Sequence, residues 1–193
     1  VGVDSPERFE RFFRLICTWT GHELNASAIS RDLGIPVNTI RRWIDALERS
    51  FLVEIIQPYS RNASQRVIKA PKVFVIDPAL ALAGAREVEP NGFHLETLIC
   101  MDLLQWRDEI PNRAIYHWRL AGGQEVDFVL QQNQQLLPVE IKATTNIQAR
   151  HTKHLRAFRD KHSNSPRGIL LSCDPQIKKL DGGLIAAPWW AVI

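Results

Sequence analysis

Hydrophobic residues in the first fifty positions recur at the three-to-four-residue spacing of amphipathic helices. The spacing predicts helices over residues 6–20, 26–33 and 38–49. In the third helix Ile40, Trp43 and Leu47 share one face, and Gly34 interrupts the pattern just before it. Strand-like segments follow over residues 52–57 and 72–76. The first half of the chain is therefore predicted to contain three helices, with a glycine turn between the last two, and then a hairpin.

The pattern changes after a polar loop at residues 84–91, where apolar runs alternate with turn signals. We expect helices over residues 92–106 and 149–161, and strands over residues 115–119, 125–131, 136–143, 167–172 and 184–187. The order is αβββαβ, which is typical of an α/β domain with a mixed central sheet. The sequence thus predicts two domains, residues 1–84 and residues 85–193.

Three charged residues fall inside two of these apolar strands: Asp127, Glu140 and Lys142. Side chains alternate across a strand, so Glu140 and Lys142 share a face, and a neighbouring hairpin strand can place Asp127 beside Glu140. Two adjacent carboxylates repel unless a cation lies between them, and Mg²⁺ prefers oxygen ligands. Lys142 can then orient a metal-bound water or neutralise charge on a phosphate. Glu96, on the preceding helix, offers a third carboxylate.

The helical half, "ASAISRDLGIPVNTIRRWIDAL" followed by a hairpin, resembles a winged helix-turn-helix domain. In that class the third helix usually enters the major groove of DNA. The resemblance implies an outward face for the DNA-contacting candidates Asn38, Thr39, Arg41 and Arg42, with Arg61 and Arg66 on the wing. Winged helices also serve as protein-docking modules, so DNA contact and protein contact both stay open.

The strands "EVDFVL" and "LPVEIKAT" resemble the signature of PD-(D/E)XK nucleases, and the predicted strand order matches as well. Val126 stands where that signature usually has proline. The resemblance implies a restriction-endonuclease-like core that binds Mg²⁺ or Mn²⁺. It further implies metal ligation by Asp127, Glu140 and the main-chain carbonyl of Ile141, a catalytic role for Lys142, and an accessory acidic role for Glu96.

A broader resemblance covers nearly the whole chain, through "KAPKVFVIDPAL", "GFHLETLICMDLL" and "YHWRLAGGQEVDFVL". These segments are similar to the C-terminal half of prokaryotic AAA-type ATPases. The resemblance implies an ATPase core upstream of Val1, and the absence of an initiator methionine agrees with that expectation. The chain has no GxxxxGK[ST] phosphate-binding motif, so ATP is expected only in a part outside this chain.

The composition narrows these possibilities only slightly. The chain has 193 residues, 45% of them hydrophobic and 23% charged, with a net charge of +3. That balance fits a folded protein with DNA as a partner and no membrane. Cys17, Cys100 and Cys173 form no CxxC pair, which argues against a disulfide framework and favours a cytoplasmic location.

Three functions remain open from the sequence. The first is a Mg²⁺-dependent nuclease that hydrolyses DNA. The second is a catalytically silent DNA- or protein-binding module that regulates an ATPase, with Asp127, Glu140 and Lys142 as a buried ionic cluster. The third, a stand-alone DNA-binding regulator, leaves the charged strand residues unexplained. His151 and His154 lie three residues apart, but their basic neighbours favour a solvated helix face over a metal site.

Overall fold

A computed structural model describes residues 5–60 and 70–191. Contacts divide the described chain into two compact units, one of residues 5–56 and 70–98 and one of residues 57–60 and 99–191. Residues 57–60 group with the second unit and residues 85–98 with the first, and the domain ranges 1–84 and 85–193 stay a prediction. None of the helices in the described ranges combines the length and hydropathy needed to cross a bilayer.

The first unit contains the predicted helices and hairpin. Its elements are α1 (Pro6–Thr18), α2 (Ala26–Leu33), α3 (Val37–Arg49), β1 (Val53–Ile56), β2 (Lys72–Val75) and α4 (Pro78–Ala85). Strands β1 and β2 are antiparallel. Helix α4 was not predicted, because its residues, "PALALAGA", are almost uniformly apolar and show no amphipathic period. Asp77 gave the missed signal, since its carboxylate accepts from the N–H groups of Ala79 and Leu80 at the helix start.

Local signals in the sequence explain where α2 begins and ends. The Oδ1 atom of Asn25 accepts a hydrogen bond from the N–H of Ala28 at 3.0 Å, which satisfies one donor of the first turn. Gly34 ends the helix with φ 65°, in the left-handed region that glycine adopts without strain. The chain then turns directly into α3, so these two helices follow each other across a single glycine turn.

An apolar core holds the first unit together. Phe12, Ile16, Ile29 and Ile40 are almost fully buried in it. Trp43 of α3 packs against Phe12, with 5.4 Å between ring centroids. The helical spacing that predicted the buried face of α3 is therefore confirmed by the packing of its side chains.

The second unit is built on a six-stranded mixed sheet. Its strands are β3 (Arg113–Arg119), β4 (Glu125–Gln132), β5 (Gln135–Lys142), β6 (Gly168–Ser172), β7 (Lys178–Leu180) and β8 (Leu184–Pro188), in the order β3-β4-β5-β6-β8-β7. Strands β5, β6 and β8 are parallel, and the other neighbouring pairs are antiparallel. The predicted mixed α/β sheet is confirmed. The short edge strand β7, "KKL", was not predicted, because its three residues show no hydrophobic alternation.

Helices accompany this sheet. Helix α5 (Gly92–Glu109) leads into β3, and its residues from Ile99 onward belong to the second unit. The predicted helix over residues 149–161 is two elements, a 3₁₀ turn (Ala149–Thr152) and α6 (Lys153–Lys161). Phe158 of α6 is fully buried and meets Trp118 edge-on at 5.2 Å. Helix α6 therefore covers one face of the sheet.

Candidate functional site

The topology brings the polar strand residues to the end of the six-stranded sheet where the carboxyl ends of β5 and β6 lie. Strands β5 and β6 run parallel, so Lys142 and Ser172 lie side by side at their carboxyl ends. Strand β4 runs antiparallel to β5, so its first residues, including Asp127, lie at the same edge. Ligands of open α/β sheets usually bind outside the carboxyl ends of the strands.

A β-bulge occurs in β4 at Asp127. Tyr116 pairs with Val129 and Trp118 with Val126, so two steps along β3 match three steps along β4. The extra residue lies at Asp127–Phe128. Bulges of this kind re-aim side chains and are common beside active sites.

The carboxylate of Asp127 is anchored to the neighbouring strand β5. Its Oδ2 atom accepts a hydrogen bond from the main-chain N–H of Ile141 at 2.8 Å, and the residue is only 6% exposed. A hydrogen bond to a carboxylate is stronger than one between neutral groups. The bond therefore fixes the Asp127 carboxylate against the backbone between Glu140 and Lys142.

Glu140 and Lys142 form an ion pair on β5. The Nζ atom of Lys142 lies 2.7 Å from Oε1 of Glu140. The Glu140 side chain is 5% exposed and that of Lys142 is 36% exposed. The pair thus connects a buried carboxylate with an ammonium that reaches solvent, and the predicted shared face of these two residues is confirmed.

The 3₁₀ turn after β5 contributes a histidine. The Nδ1 atom of His151 accepts a hydrogen bond from the main-chain N–H of Gln148 at 3.2 Å, and Nε of Arg150 lies 3.4 Å from its Nε2 atom. Burial, and then the positive charges of Arg150 and Lys142, lower the pKa of His151 below its ordinary value. The imidazole is therefore neutral near pH 7 and lies within the field of the Lys142 ammonium.

Glu96 has an ion-pair partner in the first unit. Its Oε2 atom lies 3.6 Å from Nζ of Lys72, and both side chains are largely buried. In the described part of the chain, no group of three or more His, Cys, Asp or Glu side chains is arranged to hold a metal ion. The structure thus joins Asp127 to Ile141 and Glu140 to Lys142, while metal ligation by these residues and the accessory role of Glu96 stay predictions.

The residues predicted to contact DNA lie on α3 of the first unit. Asn38, Arg41 and Arg42 are exposed, and Thr39 is half-buried. Arg61 and Arg66, predicted on the wing, lie outside the described residues. Helix α3 therefore presents two arginines to solvent on the side away from its buried apolar face.

Ser172, the last residue of β6, and Asp174, two residues beyond it, were not among the residues predicted from the sequence. The N–H of Asp174 donates to Oγ of Ser172 at 3.2 Å, and Nζ of Lys178 lies 2.5 Å from Oδ2 of Asp174. The Lys178 hydrogen bond and the Gln176 N–H lower the pKa of Asp174. An aspartate two residues beyond an apolar strand was the available signal, since strand ends meet at one edge.

The fold and the site together define a mixed α/β domain with a buried acidic and lysine cluster at a sheet edge, preceded by a helical unit. The chain belongs to the family of the domain of unknown function DUF4143, which matches residues 91–192. A second domain of unknown function, DUF8612, matches residues 1–89.

Two curated relatives are similar to the chain. They are the uncharacterized proteins Mb2031c of Mycobacterium bovis and Rv2008c of Mycobacterium tuberculosis, each 25% identical over 159 residues. The alignment covers 75% of this chain and 34% of each relative. The matched region thus spans about a third of the length of these relatives.

Two solved structures also resemble the chain. Protein VC1899 of Vibrio cholerae is 16% identical, with 97% of this chain and 54% of that protein covered and a TM-score of 0.39. A half-complex of Thermococcus gammatolerans McrB AAA+ hexamers with bound McrC is 8% identical, with 93% and 70% covered and a TM-score of 0.38. No functional conclusion follows from likenesses at this level.

Proposed function

We propose that the chain is a DNA-handling module whose second unit cleaves phosphodiester bonds with a divalent cation. The supporting observation is that two buried carboxylates on the adjacent strands β4 and β5 each make a contact with residues 141–142 of β5. Asp127 is fixed by the Ile141 N–H, and Glu140 lies 2.7 Å from the Lys142 ammonium. Carboxylates that can hold a cation, with a cationic donor beside them, are groups that metal-assisted hydrolysis can use.

The residues of this cluster fit Mg²⁺ or Mn²⁺. The carboxylates of Asp127 and Glu140 and the main-chain carbonyl of Ile141 are hard oxygen donors, which these cations prefer. A carboxylate has about four lone-pair sites, so the bonds to Ile141 and Lys142 do not by themselves fill either group. Mg²⁺ usually keeps several water ligands and needs only one or two protein carboxylates.

The side chains would divide the work of hydrolysis. A bound cation would supply Lewis-acid activation of water and phosphate. The partly exposed ammonium of Lys142 can donate to a non-bridging phosphate oxygen and stabilise the charge that develops there. The Ile141 N–H keeps Asp127 in place, and Glu140 holds Lys142 at the sheet edge. Because His151 is neutral, it adds no positive charge beside Lys142.

We further infer that α3 contacts DNA and that the module belongs to a longer AAA-type ATPase. The exposed Arg41 and Arg42 support the DNA contact, since phosphate contacts supply most of the affinity of DNA-binding proteins. The ATPase association is supported by the sequence resemblance, and the 34% coverage of the curated relatives accords with a longer protein.

A specific observation favours a second candidate, a catalytically silent module. Asp127 and Glu140 are 6% and 4% exposed, and their contacts with Ile141 and Lys142 give each carboxylate a structural role without any metal. A buried ionic cluster of this kind can persist in a fold that has lost or never had activity. The nuclease would bind a metal ion and cleave DNA, whereas the silent module would not cleave DNA.

The deciding experiment measures Mg²⁺ and Mn²⁺ binding by calorimetry, and cleavage of supercoiled plasmid and single-stranded oligonucleotide with each metal. We expect metal-dependent cleavage that falls at least about 100-fold in Glu140→Gln and Lys142→Gln, the size of effect seen when a transition-state contact is removed. The exposed residues Glu89 and Lys179 supply the charge-matched controls Glu89→Gln and Lys179→Gln. Metal binding without cleavage would favour the silent module, and no metal binding would reject the cation site.

A further inference from the structure

A polar groove lies at the amino ends of β6 and β8, at the opposite end of the strands from Asp127 and Glu140. The end of α6, the loop entering β6, and the turn between β7 and β8 enclose a volume of about 430 Å³. Because β6 and β8 are parallel, these loops meet at the amino ends of the strands. The residues that matter for its chemistry are Arg156, Arg159, Asp160, Ser163 and Gly182.

Arg159 is locked in place by neutral groups. Its Nε donates to the carbonyl of Ser165 at 3.0 Å, its Nη2 to that of Pro166 at 2.7 Å, and its Nη1 to that of Gly182. A guanidinium has five N–H donors, so these three bonds leave two donors. Within residues 5–60 and 70–191, no carboxylate forms an ion pair with Arg159. Its positive charge is thus held in a fixed orientation by three neutral carbonyl groups.

A second guanidinium, that of Arg156 on α6, lies beside the turn at Gly182. A Cβ atom placed on Gly182 would lie 3.2 Å from Nη1 of Arg156, so glycine leaves room for this side chain. Arg156 is exposed, and its Nε donates to Oγ1 of Thr152 at 3.3 Å. It also has no carboxylate partner in the described part of the chain. Asp160 on the rim offsets only part of the charge of the two arginines.

We propose that this groove binds a phosphate group, held by the guanidinium of Arg156 and the remaining N–H donors of Arg159, with the hydroxyl of Ser163 at the rim. The planar donor fork of arginine matches two oxygens of a phosphate. The carbonyl bonds fix Arg159 before a ligand arrives, so little conformational freedom is lost on binding. Free phosphate compounds and the phosphodiesters of nucleic acid share this chemistry. The proposal is independent of the cluster at Asp127 and Glu140.

The test titrates the whole chain, without divalent metal and at low salt, with inorganic phosphate and separately with a single-stranded oligonucleotide. We expect saturable binding of at least one of them, weakened about tenfold by Arg156→Gln, which removes charge-assisted hydrogen bonds. Ser163→Glu places a negative charge in the groove and should weaken binding further. Arg8→Gln, at an exposed position on α1, is the charge-matched control and should leave binding unchanged.

The two titrations distinguish the source of the phosphate. An effect of Arg156→Gln on inorganic phosphate alone identifies a small-molecule site, and an effect on the oligonucleotide identifies a nucleic-acid contact. The proposal is overturned if the wild-type chain binds neither probe, or if Arg156→Gln and Ser163→Glu bind both as tightly as Arg8→Gln. Circular dichroism of the exposed-site variants confirms that each is folded.

Discussion

Buried charges at the sheet edge depend on the groups immediately around them. Taking a carboxylate out of water is unfavourable by several kcal/mol, roughly, after the protein has relaxed. The hydrogen bond from the Ile141 N–H offsets part of this desolvation free energy for Asp127, and the Lys142 ammonium offsets part of it for Glu140. The alternation of side chains along β5 was enough to predict the shared face of Glu140 and Lys142. The bulge that re-aims Asp127 had no signature in the sequence, because it depends on how β3 pairs with β4.

Asp102 of α5 offers a direct test of carboxylate desolvation. Its Oδ2 atom is buried without a hydrogen-bond partner in the described structure, and desolvation raises its pKa. An acid whose folded-state pKa is raised destabilises the fold at pH values above that pKa. Asp102→Asn should therefore raise the unfolding midpoint in urea at pH 7. The gain should shrink as the pH falls towards the usual aspartate pKa, where the wild-type side chain becomes neutral.

Asp108, six residues further along α5, is the matched control because its shift has the opposite sign. The hydrogen bond from Arg107 is the main cause that lowers the pKa of Asp108. Asp108→Asn should therefore leave stability unchanged or slightly reduced at pH 7. If both asparagine variants respond alike across the pH series, desolvation of Asp102 is not the cause of its effect.

At the scale of elements, α1 and α4 pack closely at a glycine. A Cβ atom at Gly84 would overlap Sγ of Cys17 and lie 3.0 Å from its Cβ. Burial also raises the pKa of the Cys17 thiol to about 11, so it stays protonated and acts as a packing group. This contact explains why a glycine occurs inside α4 despite its low helix propensity.

Gly84→Ala should therefore destabilise the protein by about 1–3 kcal/mol, the usual effect of overpacking a core. Gly92→Ala, at the start of α5 where an added Cβ meets nothing within 4 Å, should not destabilise it. Chemical denaturation of both variants measures the difference. Adding Cys17→Ala to Gly84→Ala should recover part of the loss, and a purely additive double mutant would show that the two sites do not interact.

Most elements with a clear period were predictable, and those without one were not. Helix α3 repeats its apolar positions at the helical period, and residues 139–142 of β5 alternate between apolar and charged side chains. Helix α4 is apolar throughout, and β7 is a three-residue edge strand, so neither carries a period. The division of residues 149–161 into a 3₁₀ turn and α6 was also missed, and the contact between Gln148 and His151 caps the start of the 3₁₀ turn.

At the scale of the whole molecule, the net charge of +3 is modest, so DNA affinity must come from where the charges lie. If α3 contacts phosphates, replacing Arg41 and Arg42 with glutamine should weaken duplex binding. The slope of log affinity against log salt concentration should become shallower by about one to two. With fewer phosphate contacts, fewer counterions are released when the protein binds DNA. Fluorescence anisotropy across a salt series measures both quantities.

Arg8→Gln combined with Arg11→Gln removes the same charge from exposed positions on α1. This control should change the affinity only slightly. Equal losses in the two double variants would show that DNA responds to net charge and not to α3. Unchanged binding after replacement of Arg41 and Arg42 would rule out α3 as the contact.

By itself the sequence determined the periods of the helices and strands and the mixed α/β class. It also showed charged residues inside strands whose other residues are apolar. Those properties are local, because they depend on side-chain spacing within a few turns or strand residues. Only the tertiary structure decided that Asp127 bonds to Ile141, that Glu96 pairs with Lys72, and that Arg159 is clamped by three carbonyls. These contacts join residues distant in sequence or depend on loop geometry, and a hydrophobic pattern carries no information about either.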